Sequence, residues 1–218
     1  MNNLRAGITL LAGVTLIVGA TTPAAAGGSL VSPESVVERL SQGGKPAGPR
    51  TRSLSGNADA NAGPSAGVKL RSIIGKLRAP GFAPKVVTSA AEREQIRETV
   101  EAQGLPSLDV EITFATGSSE IRAKSRPDLV TLGLALRDPR LKDRTIMVIG
   151  HTDARGSDAA NLALSQRRAQ AVRKFLVDTF RLDANNLLAV GYGEEQLKDP
   201  SQPAGEVNRR VQFVNLAN

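Results

Sequence analysis

Four consecutive apolar residues, Ile146 to Ile149, run straight into Gly150-His151-Thr152-Asp153, and this junction constrains the fold more than any other feature. An unbroken apolar run ending in a polar, glycine-containing loop fits a central strand. That strand delivers an acid, Asp153, into the loop, and the residues that follow, 158–180, have the pattern of one long helix. Upstream, Ser89 and Glu92 fit a capping box, with Gly104 and Pro106 as the stop of a surface helix whose main apolar positions are Ile96 and Val100. Leu108, Val110, Ile112 and Phe114 alternate with polar residues and predict a half-buried strand. Ser125 and Pro127 then suit a helix start, with a Leu129, Leu132, Leu136 stripe ending at Asp138-Pro139. Leu187–Val190 and Arg210–Leu216 read as two more strands. The order β-α-β-α-β-β predicts one small α/β domain with a mixed sheet over residues 89–218, a usual size for a domain with its own core.

The first part of the chain is different. Residues 1–26 have the form of a secretory signal peptide: Arg5, then an apolar stretch from Ile8 to Ala20, then Ala24-Ala25-Ala26. That stretch is short for a spanning helix and is broken by glycines, so the expectation is export and cleavage, with retention as an anchor the alternative. Residues 27–88 are rich in Gly, Pro, Ser and Ala and read as a largely disordered basic linker. Two islands interrupt it. Ser35–Leu40 suits a turn or two of helix after Pro33, and residues 68–78 place Leu70, Ile73, Ile74 and Leu77 on one stripe beside four cations. The second island is a basic amphipathic pattern suited to a membrane surface or an envelope protein.

Charge location excludes a nucleic-acid reading. Of the net charge of +7, residues 27–90 hold nine Lys or Arg against three acids, which leaves the α/β domain neutral. A nucleic-acid-binding domain carries its basic patch on itself. The sequence has no Cys and a single His, so neither a disulfide nor an ordinary zinc site is expected, and no cofactor is implied.

At about 100° per residue, Val172, Phe175, Leu176 and Thr179 mark the inward stripe of the long helix, with Gln166, Gln170, Arg173 and Lys174 facing away. Followed toward its N-terminus, the stripe runs through Arg168, Ser165, Leu164 and Asn161, turning polar as it nears Asp153. A buried arginine needs an anion or an open cleft. Two arrangements satisfy this: an internal Arg168–Asp153 ion pair, or a split clamp. In the clamp Asp153 takes a ligand ammonium and Arg168 grips its carboxylate, with the helix N-terminus near Ser157 and Asp158 adding positive potential.

The run Asn161-x-x-Leu164-Ser165-x-x-Arg168-Ala169-x-x-Val172 resembles the signature of OmpA-like C-terminal domains, as does the Asp153-to-Arg168 spacing. Gly191-Tyr192-Gly193-Glu194 and Asn208-Arg209-Arg210-Val211 resemble two later landmarks, so the resemblance covers residues 105–216. It implies an α/β sandwich that binds peptidoglycan non-covalently through meso-diaminopimelate of the stem peptide, in the periplasm and cell-wall or outer-membrane associated. It places Asp153 and Arg168 as principal contacts, Asn161 and Arg209 as further contacts, and Thr152 and Ser165 in support. The lack of cysteine separates the chain from the lipoprotein members. Where many members have Phe-Asp, this chain has Phe114-Ala115, which removes one side-chain contact.

Other chemistries fit less well. His151 and Asp153 share one short segment and there is no Gly-x-Ser-x-Gly elbow, so a hydrolase is not expected and His151 reads as a locally hydrogen-bonded strand cap. A flagellar-stator role needs a spanning helix with an ionisable residue, which residues 7–26 lack. The alternative that remains is an envelope adaptor whose main partner binds the basic linker.

Overall fold

The computed structural model describes residues 32–42, 72, 75, 89–115 and 117–216. The expected signal peptide and most of the linker, including the basic island at 68–78 apart from Ser72 and Gly75, lie outside the described residues. Among those described, no helix is long and apolar enough to cross a membrane.

The elements are α1 (Pro33–Ser41), α2 (Ala90–Ala102), β1 (Ser107–Val110), α3 (Arg126–Leu136), β2 (Thr145–His151), α4 (Asp158–Phe180), β3 (Leu187–Gly193) and β4 (Val211–Leu216). They build one mixed four-stranded sheet of order β1-β4-β2-β3. β4 runs antiparallel to both β1 and β2, with Met147 opposite Val214, while β2 and β3 are parallel, with Met147 opposite Leu188. The expected α/β order is therefore the observed one. β2, paired on both sides, is buried at every position, as its apolar run requires.

Alternating side chains feed two cores. Leu108, Ile146, Val148, Ala189 and Phe213 meet α1, α3 and α4 on one face. Met147, Ile149, Val190, Tyr192 and Val214 meet Ile96 of α2 on the other. β1 stops at Val110, short of the expected Phe114, because its partner β4 begins at Val211, directly opposite. Ile112 stays buried without a ladder, and Phe114 bridges only to Ile121.

The island at 35–40 belongs to this core. Ser32 caps α1 by accepting from the Ser35 amide, Pro33 opens the helix, and Val36, Val37 and Leu40 are buried in the cluster with α3 and α4. The Asn215 side-chain amide of β4 donates to the Leu40 carbonyl at 2.8 Å. A bidentate contact from Arg140 to Glu34 adds little, since both side chains face water. The expected turn or two of helix is present, and its three apolar residues are what dock it in the core.

The long helix is rotated from its expected setting. Gln166 does not face away: it is buried, donates to the Ala189 carbonyl at 3.1 Å and accepts from the Gly191 amide at 2.7 Å. Arg173 donates to the carbonyls of Leu187 and Ala184, and the Ser165 hydroxyl accepts from the Gly193 amide. These side chains occupy the outer edge of β3 where another strand would pair. Thr179, expected inside, is exposed. The buried arc centres instead on Ala169, Val172 and Leu176.

Candidate functional site

The C-terminal end of β2 opens into a cleft of about 580 Å³ between the loop after β2, the first turns of α4, the 114–121 hairpin and the segment before β4. Thr152, Asp153, Asn161, Arg168 and Arg209 all line it. Ser165 does not: it is fully buried, donating to the Leu162 carbonyl while holding Gly193, and so supports the helix–sheet contact rather than the cleft. Ser157 caps α4 by accepting from the Ala160 amide, and neither it nor Asp158 lines the cleft.

Asp153 is 7% exposed and pairs with Arg209 at 2.8 Å, not with Arg168. The internal Asp153–Arg168 pair is thus absent. Arg209 also bonds Glu206, so two carboxylates share one guanidinium. The turn that presents Arg209 is fixed by Asn208, whose buried amide donates to the Gln202 carbonyl at 2.8 Å and accepts from the Asp199 amide at 2.9 Å. The hydrogen bond to Asp153 raises the affinity of Arg209 for its proton, outweighing its burial, which lowers it.

Arg168 is 8% exposed, yet ion-paired to no carboxylate. Its Nε donates to the Ser118 carbonyl at 3.1 Å, and its guanidinium carbon sits 4.8 Å from the centre of the Phe114 ring. Burial and the nearby Arg209 both lower its proton affinity, with Asp153 opposing them. The group is therefore held by one nitrogen and one ring face where it lines the cleft. The hydroxyl of Thr152, another lining residue, is buried without a hydrogen-bond partner among the described residues.

Asn161 turns its amide to the Arg155 carbonyl at 3.1 Å and to the Glu194 carboxylate. The next residue, Glu195, pairs with Arg93 of α2, and the Tyr192 hydroxyl donates to the Arg93 carbonyl at 2.8 Å. The helix preceding the domain core thus braces the turn that orients Asn161. Sequence reasoning missed Arg122, Lys124, Arg155, Glu111 and Glu206 as lining residues. Their only signal was charge close to the Phe114 and Arg209 landmarks.

His151 is withdrawn from the cleft. It is 1% exposed and stacks on Tyr192 with ring centroids 5.9 Å apart. Burial, and then the Arg210 charge, push its pKa down to about 3, against a side-chain hydrogen bond with Gln212 that raises it. The unfolded chain takes up this proton near its ordinary value of 6.5, so stability falls as pH drops from about 6.5 toward 3. The slope contributed is at most ~1.4 kcal/mol per pH unit. Urea unfolding from pH 7 to pH 4.5 is expected to show that loss, and His151→Phe to remove ~2 kcal/mol of it. Equal pH profiles for both proteins would refute the assignment.

Residues 113–210 match the model of the OmpA family. Outer membrane porin F of Pseudomonas aeruginosa is 34% identical over 122 residues, covering 52% of this chain and 34% of that protein. The peptidoglycan-associated lipoprotein of Mesorhizobium japonicum is 40% identical over 85 residues, covering 39% of this chain and 49% of its own. Among solved structures, the peptidoglycan-associated lipoprotein from Burkholderia pseudomallei is 30% identical, covering 48% of this chain and 87% of that one, with a TM-score of 0.41. The chain spans less than half the length of these curated relatives. The matched stretch takes in Asp153, Asn161, Arg168 and Arg209 together with the loops that position them. The chain thus carries a domain of the OmpA family over residues 113–210.

Proposed function

We propose that this domain binds peptidoglycan non-covalently, seating the free amino-acid end of meso-diaminopimelate in the cleft, and so anchors the protein in the periplasm at the cell wall. The observation that carries this reading is Arg168: a buried guanidinium, pre-positioned by Ser118 and Phe114, that no carboxylate among the described residues neutralises. A ligand carboxylate meets two free N–H groups there without reorganising the site. In the same cleft, Asp153 and Glu206 share Arg209, which leaves one negative charge for an ammonium group. Thr152 and Asn161 line it as well. An α-amino acid terminus has that charge arrangement.

The reading is non-enzymatic. His151, the one imidazole, is buried away from the cleft, and the lining residues hold no nucleophile paired with a base. The relatives' names, two of them peptidoglycan-associated lipoproteins, agree with a cell-wall role.

The test is co-sedimentation of the purified chain with isolated peptidoglycan, and calorimetry with meso-diaminopimelate. Arg168→Ala and Asp153→Ala are each expected to weaken binding by roughly 30-fold or more, the effect of stripping one partner from a buried charged contact. Circular dichroism confirms that the variants fold. Equal binding by all three folded proteins, or binding by none, would sink the reading.

A further inference from the structure

The cleft is electrically lopsided beyond what one amino-acid terminus needs. Arg122 and Lys124 line the same cleft as Arg168, and neither forms an ion pair among the described residues. Their backbone is rigidly placed. The Arg122 amide donates to the Thr113 carbonyl at 3.0 Å, and the Ser125 hydroxyl accepts from the Thr113 amide at 2.7 Å while its own amide returns to the Arg122 carbonyl. The hairpin that begins at the Phe114–Ile121 bridge, just before Arg122, is the one that Arg168 grips at Ser118. Five cations, Arg122, Lys124, Arg155, Arg168 and Arg209, line the cleft against three acids, Glu111, Asp153 and Glu206, and two of those acids are already held by Arg209.

Arg122 and Lys124 are exposed, while the buried Arg168 already suffices for one carboxylate. We propose that Arg122 and Lys124 form a second carboxylate subsite, which reads a free carboxylate on the residue next to the diamino acid in a peptide ligand. This rests on the diaminopimelate reading above and deepens it. In a γ-linked glutamyl–diaminopimelate peptide the glutamyl α-carboxyl is free and stands one residue from the amino-acid end held by Arg168 and Asp153. The subsite then discriminates peptides in which that carboxyl is ionised from those in which it is amidated. Each contact is a solvent-exposed ion pair, so the two together set a preference of roughly three- to tenfold, falling as salt rises.

Calorimetry on the whole chain tests this with three probes: free meso-diaminopimelate, the tripeptide Ala–γ-Glu–diaminopimelate, and the same tripeptide amidated at the glutamyl α-carboxyl. The wild type is expected to prefer the ionised tripeptide over the amidated one by that factor at low salt. Arg122→Gln with Lys124→Gln should abolish the preference and leave free meso-diaminopimelate binding and thermal stability unchanged. A wild type with no preference, or a double variant that keeps it, overturns the subsite. Loss of free diaminopimelate binding in the double variant also overturns it, because the pair would then serve the primary contact. A folded wild type that binds none of the three probes overturns the diaminopimelate reading and the subsite together, an outcome distinct from the others.

Discussion

Replacing Val37 and Leu40 together by alanine is expected to lower the unfolding free energy by ~4–6 kcal/mol, although both residues lie far outside the stretch that matches the family. Leu40 is 0% exposed and Val37 1%, packed with Leu108, Leu132 and Phe213. Truncating a buried leucine alone costs ~2–5 kcal/mol, because the surroundings close the cavity only in part. Against a total stability of ~5–15 kcal/mol for a domain, this loss brings the protein near its unfolding threshold. Urea denaturation reads it directly. A change below ~1 kcal/mol would mean that α1 is not docked in solution.

What could be read from sequence followed the strength of each local pattern. The order of elements was legible because β2 is a pure apolar run and α4 is long, and in both periodicity outweighs propensity. Arg168 was legible because a charge on an inward stripe conflicts with burial, and Asp153 because the central strand delivers it into a loop at the end of that stripe. The rotation of α4 was not. Gln166 and Arg173 look like solvent residues until the open edge of β3 supplies backbone groups for them to satisfy, and that edge exists only in three dimensions. The partner of Asp153 was hidden for the same reason: Arg209 lies 56 positions away and reaches the cleft through the buried Asn208 turn. The short helix at 35–40 was legible after Pro33, but its docking was not, because three apolar residues in a Gly- and Pro-rich segment do not say which surface buries them.

Gly191→Ala is expected to cost ~3 kcal/mol or more and to cripple ligand binding in whatever fraction remains folded. A Cβ at this position would lie 2.4 Å from the Gln166 backbone nitrogen and 2.6 Å from the Ser165 hydroxyl. Gly150 on the adjacent strand meets the same helix, 2.3 Å from the Ser165 carbonyl oxygen. Neither obstacle is the tip of a flexible side chain, so the helix itself has to move. Moving it breaks the Gln166 clamp on β3 and the Ser165 contact to Gly193, leaving buried polar groups unpaired at ~1–3 kcal/mol each. Arg168 lies on the next turn of that helix, one end of the proposed clamp, while Asp153 is fixed to β2 and Arg209. A displacement of α4 therefore changes the separation of the two charges that the ligand has to span. Calorimetry on the folded variant at low temperature separates this from simple instability: Gly191→Ala should bind meso-diaminopimelate at least tenfold more weakly, whereas the equally destabilising Leu40→Ala, remote from the helix–sheet contact, should bind as the wild type does. Wild-type affinity in Gly191→Ala would show that the sheet, not the helix, gives way.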